Sequence, residues 1–362
     1  MTMTISDLTA RPGAWLAVGT DEGPVVSSRI RLARNVRDVA FPGWAGVEEC
    51  DRLWRRLCPA LEQVPSLQVA TSLSMGDLSE LDKEILFERH LISREHAGKG
   101  KGSGLVFRDD ERLSVMVNEE DCLRLQGMQP GMKLRSIWAE INTLDSEIEN
   151  CTEYAFSPTL GYLTACPTNL GTGMRASVML HLPGLVLMNE INPIMKGMAK
   201  IGLAVRGLWG EGTEATGNMF QISNQMTLGD SEEQIVKLVE QIAMELVVHE
   251  QNARERLMDR RGALVRDHIG RSFGILSNAH LLTSKEAMDL LSGLRLGIDM
   301  GILKSVSRRT VDALLLLTQP GHLQKKEEKA LKPKDRDRYR ASLVRDALNN
   351  PPPKRRNRTT AE

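Results

Sequence analysis

Five arginines stand at strand faces or loop mouths of this 362-residue chain: Arg29, Arg31, Arg124, Arg175 and Arg206. A guanidinium keeps its charge at neutral pH and presents a planar fork of donors that matches phosphate oxygens two at a time. Singly, such a residue is more often solvated or ion-paired, but several converging on one place neutralise a polyphosphate. Carboxylates accompany them: Glu119 and Glu120 precede Arg124, while Glu211 and Glu214 follow Arg206. Carboxylates in an anion site are self-defeating unless a second substrate is a cation. The combination therefore points to phosphoryl transfer onto a cationic acceptor. One stretch carries both kinds of group, Arg206-Gly-Leu-Trp-Gly-Glu211-Gly-Thr-Glu214-Ala-Thr-Gly-Asn218. It reads as a glycine-rich loop, whose backbone can approach a ligand closely.

The commoner nucleotide machines are excluded by motif. There is no Walker-type phosphate loop, no His-Arg-Asp catalytic loop and no Asp-Phe-Gly. Gly98-Lys-Gly-Lys-Gly-Ser-Gly104 lacks the Walker spacing and reads as a mobile connection. The seven histidines are scattered, and His249-Glu-Gln-Asn-Ala is not a zinc-protease pair, which argues against a multi-histidine metal site. Five cysteines without a Cys-x-x-Cys pair argue against a disulfide framework and fit a reducing cytoplasm. The N-terminus has no signal-peptide pattern, and no apolar run approaches the ~20 residues of a membrane helix.

The elements that must position these residues follow from periodicity. Val25–Asn35 alternates as a strand with one basic face, and Leu105–Arg108 and Leu113–Asn118 form a hairpin across Asp109-Asp-Glu. Residues 46–64, 76–92, 132–150 and 191–205 read as helices, 176–182 as an apolar run and 219–223 as a strand. Ser231–Arg261 is a long helix opened by a Ser-x-x-Gln box, and from 262 onward the pattern is helical over 263–280, 284–299, 307–318 and 334–348. The chain is thus expected to be α+β, an antiparallel sheet flanked by helices with a C-terminal helical module. Its organisation reads as a loose lead-in over 1–20, a catalytic domain over 21–261, the module over 262–349 and a basic disordered tail over 350–362. Charge balances overall at 47 basic and 47 acidic residues, yet 324–362 holds 13 Lys/Arg against 6 Asp/Glu. Such a basic end suits a phosphorylated or acidic ligand.

Four blocks in order resemble the phosphagen (guanidino) kinases: Val25–Arg31, Asn118-Glu-Glu-Asp-x-Leu-Arg124, Cys166-Pro-Thr-Asn-Leu-Gly-Thr-x-x-Arg175-Ala-Ser and Arg206-Gly-x-x-Gly-Glu211-x-Thr-Glu. Metabolite-directed members carry a helical domain before the Ser-Ser-Arg-Ile-Arg segment, which begins here at Ser27 and leaves no room for one. The C-terminal Arg336-Asp-Arg-Tyr-Arg-Ala341 is similar to the motif through which the bacterial protein-directed branch binds phosphoarginine. Two departures stand out. Cys122 occupies a position where the family usually has His, and Trp209 a position that is arginine in metabolite kinases and aromatic in the protein-directed branch.

The resemblance implies an ATP-dependent protein-arginine kinase with Mg²⁺ held mainly by phosphates and water. Glu120 and Glu211 would grip the acceptor guanidinium, with Cys166 beside it. The nucleotide would meet Ser27, Ser28, Arg29, Ile30, Arg31, His90, Arg124, Arg175, Ala176, Ser177, Val178, Met179, Arg206, Gly207, Leu208, Trp209, Gly210 and Glu211. Arg336, Asp337, Arg338, Tyr339, Arg340 and Ala341 would form an allosteric phosphoarginine pocket, Arg336 and Arg340 forking one phosphate at i, i+4 spacing. Implied partners are proteins with exposed arginine (a stress-response repressor among them), a Clp-type protease, a zinc-finger activator and a second copy of the chain, with neither membrane nor nucleic acid. Two other readings stay open: a kinase of free arginine, and a phosphoarginine-binding adaptor without catalysis.

Overall fold

The computed structural model describes residues 3–16, 23–208, 215–327 and 329–349. Among the described residues ten strands run in chain order: β1 Val25–Arg34, β2 Ala70–Ser74, β3 Gly104–Arg108, β4 Leu113–Val117, β5 Leu123–Pro130, β6 Phe156–Ser157, β7 Gly161–Tyr162, β8 Met174–His181, β9 Leu203–Gly207 and β10 Met219–Asn224. Eight form one antiparallel sheet in the order β2-β3-β4-β5-β1-β8-β10-β9, and β6 pairs with β7 alone. The helices are α1 Ile5–Thr9, α2 Val47–Glu62, α3 Glu80–Glu88, α4 Arg94–Ala97, α5 Leu134–Glu149, α6 Pro183–Leu187, α7 Ile191–Lys200, α8 Glu232–Asn278, α9 Ser284–Asp299, α10 Arg308–Leu317, α11 Pro320–Lys326 and α12 Pro333–Asn349. The α+β arrangement expected from periodicity is the one found.

Side chains alternate across a strand, so one sheet has two different faces. Ile30 and Leu32 of β1, Leu123 and Leu125 of β5 and Ala176, Val178 and Leu180 of β8 share one face and join the main core with α5 and the first part of α8. On the other face, α1 and α3 cover Leu105, Phe107 and Met116 near one end of the sheet. The C-terminal helices close over Met128, Met179 and Met219 at the opposite part, through Leu291, Leu294 and Leu315. Between these two apolar covers lie the arginines.

Several local expectations are corrected. The 1–20 lead-in is not loose where it is described. A Thr4/Asp7 capping box starts α1, Leu8 is wholly buried, and Trp15 is 1 % exposed. The helix read over 76–92 spans only 80–88, because Ser79 caps it by accepting from Asp82 N–H at 3.1 Å. It ends in a left-handed residue, His90 at φ 59°, with Leu91 N–H reaching back to Leu86 C=O. The helix read over 191–205 stops at Lys200; Gly202 turns at φ 77° and the rest is β9. The Gly98–Gly104 connection is packed rather than loose. Asn118 Nδ2 donates to Gly102 C=O at 2.7 Å, and a Cβ on Gly102 would lie 2.8 Å from Asp51 N. The helices read as 231–261 and 263–280 do follow one another along α8, and the break between them is kept as a kink at the non-helical Arg261, φ −140° and ψ 28°. Residues 350–362 lie outside the described residues.

Candidate active site

The register of the sheet assembles the cationic floor. Arg31 on β1 stands directly opposite Arg175 on β8, Arg29 opposite Ser177, and Ala33 opposite Arg124 on β5. Arg206 on β9 sits opposite Gln221 on β10. A cleft of about 920 Å³ opens above, lined by Arg31, Arg124, Arg175 and Arg206 together with Glu119, Glu120, Cys166, Thr168 and Asn169. Of the five arginines, four line the cleft. Arg29 lies one step along β1, donating from Nη2 to Gln221 Oε1 at 2.8 Å.

These cations crowd one another. Burial, then Arg124 and Arg175, lower the Arg29 guanidinium to about 10. Burial and then Arg29, Arg124 and Arg175 push Arg31 well below its ordinary value against the pull of Glu119. Arg175 is lowered by burial, Arg206 and Arg124. Like charges gathered in excess of the carboxylates beside them store an attraction for a polyanion. Ser27, Arg29, His90, Ser177 and Met179 surround a small recess with Met128 and Gln221 at the edge of this floor. His90 is held neutral, its imidazole lowered to about 3 by burial and then by Arg29 and Arg31, and its ring meets Trp15 edge-on at 4.7 Å.

The two carboxylates before Arg124 differ sharply. Glu119 is 1 % exposed, and its Oε1 accepts from Arg124 Nη1 at 2.7 Å and from Ser93 Oγ. Burial raises its carboxyl, but Arg124, Ser93 and the Glu120 N–H together hold it below the ordinary value. The Glu120 side chain is 46 % exposed in the cleft and meets Arg124 Nη2 at 3.1 Å. Glu119 therefore orients the arginine, whereas Glu120 is open to a ligand. Cys166 faces the same space, half-buried, with Sγ 3.1 Å from Thr168 Oγ1.

Asn35 and Asp121 hold these loops together, a role that the place of Asp121 within the Asn118–Arg124 block does not disclose and that nothing in the sequence marks for Asn35. Asp121 Oδ1 accepts from Asn35 Nδ2 at 2.7 Å and from Ala165 N–H at 2.6 Å, next to Cys166. Asn35 also accepts from Cys122 N–H and donates to Leu163 C=O. Phe41, Trp44, Ser93, Glu95 and Lys99 line the cleft as well and were equally silent in sequence. A buried Asn–Asp pair has only its two residue types as a signal until the chain folds.

Other expected site residues do not join the cleft with their side chains. Ile30, Ala176 and Val178 point into the core, because they alternate with the residues that point out. Ser28 is buried and donates to Gly131 C=O at 2.8 Å. Leu208 packs against the C-terminal helices and Gly207 pairs with Phe220 in the sheet. Cys122 is wholly buried in the main core, and burial raises its thiol to about 11. Trp209, Gly210, Glu211 and Glu214 lie outside the described residues. In the helical module, Arg340 is 1 % exposed. Its guanidinium donates to Thr318 C=O, Leu282 C=O and Asp337 Oδ1 at 2.7–2.8 Å. Arg336 Nη1 reaches Leu331 C=O at 3.4 Å, Arg338 and Tyr339 are exposed, and Ala341 is in the core. Arg336 and Arg340 thus do not present a shared open fork in this structure.

Comparison with known proteins adds to this geometry. Residues 55–253 match the family model of the ATP:guanido phosphotransferase C-terminal catalytic domain, and residues 263–359 match that of the protein-arginine kinase McsB C-terminal domain. The protein-arginine kinase of Halothermothrix orenii is 44 % identical over 336 residues, covering 92 % of this chain and 96 % of the relative. That of Desulforamulus reducens is 43 % identical over 354 residues, covering 96 % and 99 %. Among solved structures, a lombricine kinase superimposes with a TM-score of 0.56 at 26 % identity, covering 67 % of this chain and 70 % of that one. The duplicated taurocyamine kinase of Schistosoma mansoni gives a TM-score of 0.59 at 27 % identity, over 67 % of this chain and 35 % of that longer one.

Proposed function

We propose, for a chain that belongs to the ATP:guanido phosphotransferase family and is a protein-arginine kinase, that phosphoryl transfer takes place in the arginine-floored cleft. The reaction moves the γ-phosphoryl group of ATP to the guanidinium of an arginine side chain in a protein. One observation carries the assignment of the site: Arg31, Arg124, Arg175 and Arg206 share a single cleft with the half-exposed Glu120 and Cys166.

A guanidinium is a poor nucleophile, because resonance spreads its lone pairs and it stays protonated. Transfer breaks the bond between the γ-phosphorus and its bridging oxygen to ADP and forms an N–P bond, and the attacking nitrogen gives up one proton. Glu120 orients that nitrogen and accepts the proton, with Glu211 as the second carboxylate of the clamp. Arg31, Arg124, Arg175 and Arg206 stabilise charge on the phosphoryl group as it passes, with Arg29 holding the adjoining phosphates. Cys166 lies beside the acceptor nitrogen. The nucleoside end is assigned to the side of the floor at Ser27, His90, Ser177 and Met179, where the recess of about 10 Å³ has to widen to admit it. The described residues contain no group of three or more His, Cys, Asp or Glu suited to a metal ion. Mg²⁺, implied by the family's chemistry, would be held by the phosphates and water, where it would offset their charge.

The exposed part of the module around Arg336 and Asp337 is assigned to phosphoarginine, with Arg340 bracing Asp337 from inside. We also assign to this enzyme a cytoplasmic role in marking clients, a stress-response repressor among them, for a Clp-type protease, aided by a zinc-finger activator, and dimerisation through the module. No described helix is long and apolar enough to cross a membrane.

The test is mass spectrometry at neutral pH, since N–P bonds are acid-labile, of casein and of free arginine after incubation with ATP and Mg²⁺. Phosphoarginine on casein is expected; phosphorylation of the free amino acid alone would overturn protein-directed activity. Glu120→Gln and Glu211→Gln should each lower turnover at least 100-fold while ATP affinity stays within about three-fold, the signature of groups that act on the transition state. Turnover near wild type in either variant removes that residue from the clamp.

A further inference from the structure

We propose that Trp44, carried on the turn that begins at Phe41, is a platform for the stretch of polypeptide flanking the acceptor arginine, and so governs affinity for protein substrates rather than the chemical step. The inference rests on the cleft being the transfer site.

Isolated apolar residues on a surface are ordinary. Trp44 differs in three respects. It is 90 % exposed yet lines the same cleft as Glu120 and Cys166. Its ring is carried on a fixed turn, in which the Trp44 and Ala45 N–H groups both donate to Phe41 C=O at 2.8 and 2.9 Å. That turn is rooted in the body, since Arg37 N–H donates to Glu153 C=O and Val36 bridges Tyr154. Finally, Gly43 and Gly46 on either side of it have open space where a side chain would stand.

The occupant follows from the substrate. An acceptor arginine inside a polypeptide places its guanidinium at Glu120 and its backbone at the mouth of the cleft, because a single side chain separates the two. The nucleoside recess lies on the Arg29 and His90 part of the floor, which leaves the Trp44 rim for the acceptor. A rigid indole offers a large contact area at small entropic cost and tolerates many neighbouring side chains, which suits an enzyme reading arginine in varied sequence contexts. Glu95 and Lys99 on the same lining supply charges of both signs to flanking residues.

Steady-state kinetics with casein test the platform. Trp44→Ala is expected to raise the KM for casein at least five-fold, with kcat and the KM for ATP within two-fold of wild type, and Trp44→Phe should recover most of the loss. A casein KM within two-fold of wild type overturns the proposal. So does a fall in kcat, which would place the ring on the reacting groups, or a Phe variant no better than Ala. Because Trp44 is exposed, thermal midpoints of both variants should match wild type; a drop of several degrees assigns the ring to folding and equally overturns the platform. Loss of casein phosphorylation in the wild-type enzyme itself would instead defeat the assignment of activity, which keeps the two failures distinct.

Discussion

Two neighbouring arginines of the floor should respond oppositely to removal, because only one of the two is directly ion-paired with a buried carboxylate. Arg31 has burial and three other cations working against its charge. Arg31→Met should leave the ligand-free protein at least as stable as wild type while weakening ATP binding about ten-fold or more, since a charge-assisted contact is worth ~1.5–3 kcal/mol. Calorimetric titration alongside thermal melting checks both halves; a destabilised protein with normal ATP affinity would contradict this view of the floor. Arg124 is the counter-case. Removing it strands Glu119, 1 % exposed, with Ser93 and the Glu120 N–H as its remaining partners. Arg124→Ala should cost about 3 kcal/mol in urea unfolding, the scale of a broken buried ion pair. At this scale the sequence was legible in residue type: five arginines and their carboxylates were visible, but the division of labour between Glu119 and Glu120 was not. It depends on which side chain the loop turns inward, and adjacent residues look identical until it does.

Between elements, the helical module is built into the sheet. Gly217 N–H donates to Asp289 Oδ1 of α9 at 2.9 Å, and Asn218 Nδ2 donates to Ser292 Oγ at 2.8 Å, just before β10 delivers Gln221 to Arg29. Gly217 adopts φ 66°, and a Cβ there would lie 3.0 Å from Met288 C=O. Gly217→Ala is therefore expected to destabilise by about 2 kcal/mol through the left-handed backbone and the tight approach together. An unchanged denaturation midpoint would mean that α9 yields freely. A second joint ties α11 to α3: Glu88, 2 % exposed, accepts from Gly321 N–H and His322 N–H and from His322 Nδ1 at 2.6 Å. Neither joint has a sequence pattern, since the first pairs residues 72 and 74 positions apart and the second residues 233 and 234 apart. The misplaced ends at residues 76–92 and 191–205 have a more local cause. Amphipathic periodicity ran on past a Ser79 cap and a Gly202 turn that were present in the sequence and outweighed by it.

For the molecule as a whole, three histidines are buried or half-buried in neutral form. Burial lowers His90 to about 3, with Arg29 and Arg31 adding to it, and lowers His96 to about 4 against the opposing pull of Glu119. His181 is pushed well below its ordinary value by burial and by Arg295, Arg254 and Arg308. A folded-state value below the unfolded ~6.5 means that the unfolded chain binds more protons as pH falls. This stability is complete above pH ~6.5 and is lost as pH drops toward the folded values, at up to ~1.4 kcal/mol per pH unit for each histidine. Urea unfolding at pH 7.5, 6.5 and 5.5 should show most of the loss in the lower interval, where ordinary carboxylates are still ionised. His96→Asn should flatten that loss by about a third, and an equal slope in both proteins would contradict the burial of a neutral His96.

The sequence by itself determined the α+β class, the order of the family blocks and the residue types of the site, because alternation, caps and charged motifs are local properties. Tertiary structure alone decided which of those residues meet. Register brought Arg31 against Arg175 and turned Ile30 and Val178 into the core, since a strand can offer only every second residue to a ligand. Packing closed the sheet's working face from both ends and left the arginines between, with Asn35 and Asp121 tying the acceptor loops together and Trp44 standing at the mouth.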